Sequence, residues 1–440
     1  MSLRPLAALL AVLGGWALVT MFGSARTAEP DLSLADLKSA HRRPSALPEA
    51  ARAMLTPERV RLGERLFHEP RLSANDAISC ANCHNPSLSF GDGVSIGKGI
   101  KNIPLDRHTP HIWNLAWGHA FFWDGRARSL QEQARGPIEN PSEMGQPLQV
   151  GIEKLRRDAA YRELFAAAFP DTAGLTEENA LKALAAFEMT LVSPSTRFDR
   201  WIEGDETALT EAEVEGFKLF TGKAGCAVCH SGWRFTDDAF HDIGLPGNDL
   251  GRGPIAELPR LNRAFKTPSL RELAWSAPYM HDGSKPTLDD VLRHYEQGIM
   301  KRSTLSPDLA QRLSLTDGER DSLIAFLETL SSERPPKPDA ALWRSKAVPS
   351  DKTVAISALS VDQRKKAFSP ARTELKRGET LTILNNDSRP HNVTVFDPRL
   401  KLNSGVQEPG EFTTITFNEL GTFEVFCGIH PSMRLSVEVK

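Results

Sequence analysis

Cys80-Ala81-Asn82-Cys83-His84 and Cys226-Ala227-Val228-Cys229-His230 are two copies of C-x-x-C-H. That spacing lets two thiols form thioethers with the vinyl groups of one haem while the adjacent histidine binds the iron. Two covalently bound haem c groups are therefore expected. Cys80, Cys83, Cys226 and Cys229 are their attachment points, and His84 and His230 their proximal ligands. A zinc site would need further cysteine or histidine pairs at knuckle spacing. The two motifs could supply four thiolates only by meeting from opposite ends of the helical region.

A repeat surrounds these motifs. Thr109-Pro110-His111-Ile112-Trp113-Asn114-Leu115-Ala116-Trp117 matches Thr267-Pro268-Ser269-Leu270-Arg271-Glu272-Leu273-Ala274-Trp275. An Asp-Gly pair follows each copy at the same offset, in Trp123-Asp124-Gly125 and His281-Asp282-Gly283. Leu66-Phe67 and Leu219-Phe220 precede the two cysteine motifs. Such self-similarity marks a duplicated module. Two pseudo-symmetric, mainly α cytochrome c-type domains are expected, over 47–200 and 201–332. Apolar periodicity predicts helices over 57–69, 152–169, 176–192, 210–220, 287–296 and 316–330. The intervening stretches read as loops, and 29–56 as a loose lead-in.

Beyond 332 the texture changes. The proline-rich stretch 333–353 reads as a stiff linker, and 354–440 as alternating strands. Within it His391 precedes Cys427-Gly428-Ile429-His430-Pro431-Ser432-Met433. Two imidazoles and a thiolate in a plane, with a weak axial thioether, make a type 1 copper site. His391, Cys427, His430 and Met433 are the expected ligands; the alternative is a β-sandwich that has lost its copper. The ligand spacing resembles that of amicyanin, which implies an all-β cupredoxin sandwich of eight strands. The resemblance also puts His430 at the exposed end, where its imidazole edge would pass electrons.

Bulk properties fit an ordinary soluble protein of several domains. The chain has 440 residues and a formal charge of −3. The length suggests two to three domains, and the charge argues against a nucleic-acid partner. Arg4, the apolar run 6–22 and Gly23-Ser24-Ala25 read as an export signal over 1–28, cleaved near Ala25 or Ala28. Left uncleaved, the run would be a membrane anchor. Either way the folded part would lie in the periplasm, where c-type haem is attached.

The helical part resembles the bacterial di-haem cytochrome c peroxidases and their MauG relatives. The residues that carry the resemblance are Phe122-Trp123-Asp124-Gly125-Arg126-Ala127, Gln133, Asn140-Pro141-Ser142-Glu143-Met144-Gly145 and Tyr279-Met280-His281-Asp282-Gly283. It implies a peroxide-reactive first haem and an electron-transfer second haem. Glu143 would move a proton between the peroxide oxygens, Gln133 would orient the peroxide, and Trp123 would relay electrons between the haems. At the position of the histidine that covers the first haem in the best-known peroxidases stands Lys98, which implies an open haem unless His108, His111 or His119 substitutes. Tyr295 stands where ordinary peroxidases carry a methionine and MauG a tyrosine, which implies a phenolate ligand and a low potential for the second haem. Met280 or Met300 is the alternative ligand. The family also holds calcium between its domains. Ser276 and Pro278 can offer carbonyls to it, but His108 replaces the family's asparagine.

Three functions follow for comparison. The first is an exported di-haem peroxidase that reduces hydrogen peroxide with electrons relayed through its own copper domain and second haem. The second is a MauG-like enzyme whose peroxide-generated high-valent haems oxidise a protein substrate. The third is a non-catalytic electron-transfer protein. Tyr295 and Lys98 favour the second, whereas the fused copper domain favours the first. The redox partner or protein substrate is not named by any of these residues.

Overall fold

In each half of the helical region two helices cross at a glycine. The computed structural model describes residues 33–440 apart from 173, 334–335, 339–359, 388, 405 and 431. The expected signal and most of the expected linker lie outside the described residues. Helix Pro57–Phe67 packs on Glu177–Met189, and Glu211–Thr221 packs on Asp317–Glu328. Thr56 caps the first of these by accepting from the Arg59 amide at 3.2 Å, and Pro57 fills the turn where no amide is needed. A Cβ on Gly63 would run into the carbonyl of Ala183, and one on Gly216 into that of Ser322. Phe187 and Phe326 pack against the two glycines at equivalent places. One apolar core gathers residues from Leu62 to Leu191, and a second from Phe198 to Leu330.

The duplication extends to backbone detail. Asn114 and Glu272 both take left-handed φ, 61° and 62°, as do Phe122 and Met280, at 67° and 75°. Turns Leu115–Trp117 and Leu273–Trp275 follow the first pair. The halves then meet at equivalent residues. The His108 amide donates to the His281 carbonyl at 2.8 Å, and the Lys266 amide donates to the Trp123 carbonyl at 2.8 Å. The Trp123 and His281 rings lie edge to face at 6.4 Å. Nε2 of His111 lies 3.3 Å from the carbonyl of Ser269, its counterpart. An internal pseudo-two-fold axis therefore passes through the Trp123–His281 contact.

Several elements differ from the periodicity reading. The expected helix 152–169 is two, Leu148–Arg156 and Ala159–Ala168, because the Asp158 side chain caps the Ala160 amide and restarts the chain. Helix Leu130–Glu139, which carries Gln133, was expected as loop; it contains Pro137, which hides it. The lead-in is not loose. Helix Leu34–Ala40 seats His41 among Phe198, Phe217 and Phe235, and Glu49–Met54 follows. Both helices are too short to show a period and are held by tertiary packing.

The C-terminal part is a two-sheet sandwich. After the two-residue strands β1 (Phe240–His241) and β2 (Phe265–Lys266) of the helical region come β3 (Ser360–Arg364), β4 (Ala367–Ser369), β5 (Arg372–Leu375), β6 (Thr380–Asn385), β7 (Thr394–Asp397), β8 (Leu400–Asn403), β9 (Phe412–Thr416), β10 (Gly421–Phe426) and β11 (Arg434–Val439). One sheet runs β5-β11-β10-β7-β8, the other β4-β3-β6-β9. Burial alternates along β6 and β11, as two facing sheets require. The sandwich has nine strands among the described residues, not eight, because a tight turn at Lys365-Lys366 folds β4 back on β3.

The sandwich is docked on the helical part. Ala120, Phe240, Leu258, Leu261 and Ala264 join its buried core. Ion pairs Lys366–Asp237 (2.8 Å), Arg389–Asp308 (2.6 Å) and Arg260–Glu408 (3.3 Å) cross the boundary.

Candidate haem and copper centres

The two C-x-x-C-H motifs place their histidines alike. Nδ1 of His84 lies 3.1 Å from the Phe90 carbonyl, and Nδ1 of His230 lies 2.9 Å from the Phe235 carbonyl. A carbonyl only accepts, so each Nδ1 carries the proton and each Nε2 keeps a free lone pair. The carbonyls of Pro110 and Pro268, from the two repeat copies, also act on these rings. The four cysteines are free and half-buried. This donor set fits two haems.

At the first motif, the turn after helix Leu130–Glu139 brings up Glu143. Asn140 Nδ2 donates to Glu143 Oε1 at 2.7 Å. Burial raises the carboxyl's pKa, against the Asn140 bond and the positive charge of Arg126. Glu143 is felt electrostatically at Cys83, which places it facing the haem-attachment loop. The 95–103 loop is pinned beside it. Ile100 N donates to the Glu143 carbonyl at 2.7 Å, and a Cβ on Gly99 would run into Ser142. Lys98 is exposed on that loop, and Gln133 is half-buried on its helix. His108 Nδ1 is engaged by the Val94 carbonyl at 2.9 Å and His111 Nε2 by Ser269.

Trp123 sits between the halves. Its Nε1 donates to the His108 carbonyl at 2.8 Å. At the second motif, Tyr295 lies on a π-helical turn, His294–Gly298, that continues helix Leu288–Arg293. His294 is held by the Ile243 carbonyl at 2.8 Å and Glu296 by Arg320 at 3.0 Å. The turn is thus clamped on both sides of Tyr295, whose phenol is within electrostatic reach of Cys229 and Cys226; burial raises its pKa. Single π turns recur at functional sites. Met300, an alternative, is 51 % exposed.

His391, Cys427 and His430 form a compact triangle. Cys427 Sγ lies 3.8 Å from Nδ1 of His391 and 3.7 Å from Nδ1 of His430, and the two nitrogens are 3.0 Å apart. Edges of that length suit one ion at about 2.0 Å from nitrogen and about 2.3 Å from sulfur, the range of first-row metal sites. Met433 is buried in the same loop, which closes through Cys427 N to the Met433 carbonyl (3.2 Å). Asn392 N and His430 N each point at Cys427 Sγ from 3.4 Å. Asp387 Oδ2 takes a hydrogen bond from His391 Nε2 at 3.0 Å and fixes that ring. The donor set fits type 1 copper. His430, however, is not at an exposed end. It is 4 % exposed, and the charges acting on it include Asp237 and His241 of the second haem module. The helical part docks beside this loop, through Arg252 on the Gly428 carbonyl and Lys366 on the Val228 carbonyl.

Residues 57–207 match the family model for di-haem cytochrome c peroxidase, and 340–437 match that for a cupredoxin-like domain. A methylamine utilization protein MauG from Methylorubrum extorquens is 49% identical over 328 residues, covering 73% of this chain and 93% of the relative. The chain belongs to the di-haem cytochrome c peroxidase/MauG family. Cytochrome c peroxidase Ccp of Escherichia coli is 35% identical over 67% of this chain and 63% of its own length. The solved structure of a MauG-like protein associated with microbial copper homeostasis aligns with a TM-score of 0.61 at 31% identity, over 69% of this chain and 96% of that one. Membership makes the chain a di-haem oxidoreductase and sets aside the non-catalytic alternative. No helix among the described residues is long and apolar enough to cross a membrane. Calcium gains no support, since His108 turns a ring nitrogen toward the Val94 and Ser95 carbonyls.

For this member of the di-haem peroxidase/MauG family, sequence reasoning missed the residues that join its parts. Arg252 is buried. It donates to the carbonyls of Asp124 (3.1 Å) and Gly125 (2.8 Å), beside Trp123, and to that of Gly428 (3.4 Å) in the copper loop. Asp387, Lys366 and Asp237 link copper domain and second haem motif. None sits in a motif, and only Asp387, four residues before His391, carried any local signal.

Proposed function

We propose that the chain is an exported hydrogen peroxide reductase that draws electrons through its own docked copper domain. The observation that carries this is the burial of His430 in a domain that is ion-paired to the second haem module through Lys366 and Arg389. The units would be 1–28 as export signal, 47–200 and 201–332 as haem domains, 333–353 as linker and 354–440 as copper domain. Cys80, Cys83 and His84 would hold one haem and Cys226, Cys229, His230 and Tyr295 the other, while His391, Cys427, His430 and Met433 would hold copper. The haems would supply redox chemistry toward peroxide, and the copper one-electron transfer. Glu143, raised in pKa and steadied by Asn140, would take a proton from one peroxide oxygen and return it to the other, so that water leaves. With two electrons and two protons, each peroxide yields two waters. Gln133 would orient the peroxide, and Trp123, hydrogen-bonded across the pseudo-two-fold axis, would carry electrons between the modules. Tethering gives the copper domain a high effective concentration without a diffusional encounter.

The clamped Tyr295 favours a second reading, MauG-like oxidation of a protein substrate, because a phenolate stabilises oxidised iron. Steady-state peroxide consumption by the fully loaded chain, with an added one-electron reductant that re-reduces the copper and a copper-free chain as control, tests the first reading. Sustained turnover supports it. A single burst that leaves oxidising equivalents stored, and discharged only by an added protein, supports the second.

A further inference from the structure

We infer that Lys366 is a positioning residue that joins the copper centre to the attachment loop of the second haem by one continuous hydrogen-bonded route. This rests on the proposed flow of electrons between copper and that haem. The route starts at the copper-ligand candidate His391, whose Nε2 lies 3.0 Å from Asp387 Oδ2. The same oxygen accepts from the backbone amide of Lys366 at 2.9 Å. The Lys366 side chain then spans the domain boundary. Its Nζ reaches Asp237 Oδ2 at 2.8 Å and the Val228 carbonyl, inside the C-x-x-C-H motif, at 3.2 Å. Asp237 in turn donates from its amide to the Cys229 carbonyl at 2.8 Å and accepts from His241 Nε2 at 3.0 Å. One residue therefore contacts both the shell of the copper triangle and the loop that holds the haem.

The local backbone is costly for the residues it carries. Lys365 and Lys366 both have positive φ, 51° and 56°. Two-residue turns with positive φ at both positions favour asparagine and glycine, and a bulky side chain there is strained. At Lys366 the strained conformation points the backbone amide to Asp387 and the ammonium to Asp237. The Asp237 side chain is 3% exposed, so its charge is buried and pairs with the lysine that crosses the boundary.

The test is intramolecular electron transfer in the haem- and copper-loaded full chain, followed after a light flash that reduces the copper. Lys366→Met is compared with wild type, with Lys366→Arg, and with Arg389→Met, which removes the other short interdomain ion pair, Arg389–Asp308. Lys366→Met is expected to slow transfer about tenfold, the equivalent of roughly 1.4 kcal/mol in the barrier. Lys366→Arg should restore part of the rate. Arg389→Met should slow it less, with copper absorption and both haem spectra unchanged throughout. Equal slowing in Lys366→Met and Arg389→Met would reduce Lys366 to a docking clip and overturn the inference, as would an unchanged rate in Lys366→Met. Absence of any copper-to-haem transfer in wild type would instead overturn the proposed function itself.

Discussion

Gly63 and Gly216, Phe187 and Phe326, and His84 and His230 occupy matching places in the two haem modules, yet the surroundings have diverged. The first module brings a carboxyl, Glu143, to its motif and leaves Lys98 out in solvent. The second brings a clamped phenol, Tyr295, and is ion-paired to the cupredoxin-like domain through Asp237 and Asp308. The backbone and the histidine tautomers are common property, whereas the proposed difference in reactivity rests on a few side chains around them. Duplication supplied two equal sockets, and substitution made them unequal.

The largest expected effect removes the first module's distinguishing group. Glu143→Gln should lower peroxide turnover about 10²- to 10⁴-fold with both haem spectra intact. Stopped-flow mixing with peroxide measures it, and near-normal turnover would show that the modules do not differ in this way. Next comes Glu188, which stands where the second module has Leu327, one residue beyond the paired phenylalanines. Its Oε2 has no hydrogen-bond partner, and burial pushes the carboxyl up to about 8. Between about pH 4.3, where the unfolded chain's carboxyl ionises, and that value, the folded chain holds a proton the unfolded chain lacks. Stability therefore falls as pH rises through this window. Glu188→Leu should abolish that fall and raise unfolding free energy above pH 8 by on the order of 5 kcal/mol. Denaturant titrations at pH 5 and pH 8.5 decide the point; identical pH dependence in the variant would refute it.

Tyr295→Met should make the second module resemble an ordinary methionine-ligated haem. Its potential should rise by on the order of 0.1 V, within the span of roughly 0.8 V that axial ligands command. Spectroelectrochemistry reads the shift, and an unaltered spectrum and potential would remove Tyr295 from the ligand set. The smallest effects test what the modules share. Gly63→Ala and Gly216→Ala should each cost about 1–3 kcal/mol by overpacking, seen as similar losses in melting temperature. A large inequality between them would mean that the two crossings are not equivalent.

Much of this architecture was legible because it rests on covalent spacing and repetition. The five cysteines announce three centres, and the offset between the two Trp-bearing repeats announces a duplicated fold with a dyad. Helix Leu130–Glu139 was hidden by Pro137, and helix Leu34–Ala40 by its shortness. At the centres, the motif residues were readable, but the residues connecting one centre to another were not. Arg252, Lys366 and Asp237 matter through contacts across 138 or so positions of sequence, as between Lys366 and Val228. No periodicity records such a contact, so only the fold reveals it.

The burial of His430 has an operational side. On the proposed reading, the burial of His430 would make the copper centre an insulated lead, not a shared plug. Stray reductants and oxidants in the surrounding fluid would meet protein where an isolated cupredoxin offers metal-linked ring. On that reading current would enter by a port elsewhere on the surface, and the packing that holds the two parts together would also suppress leakage.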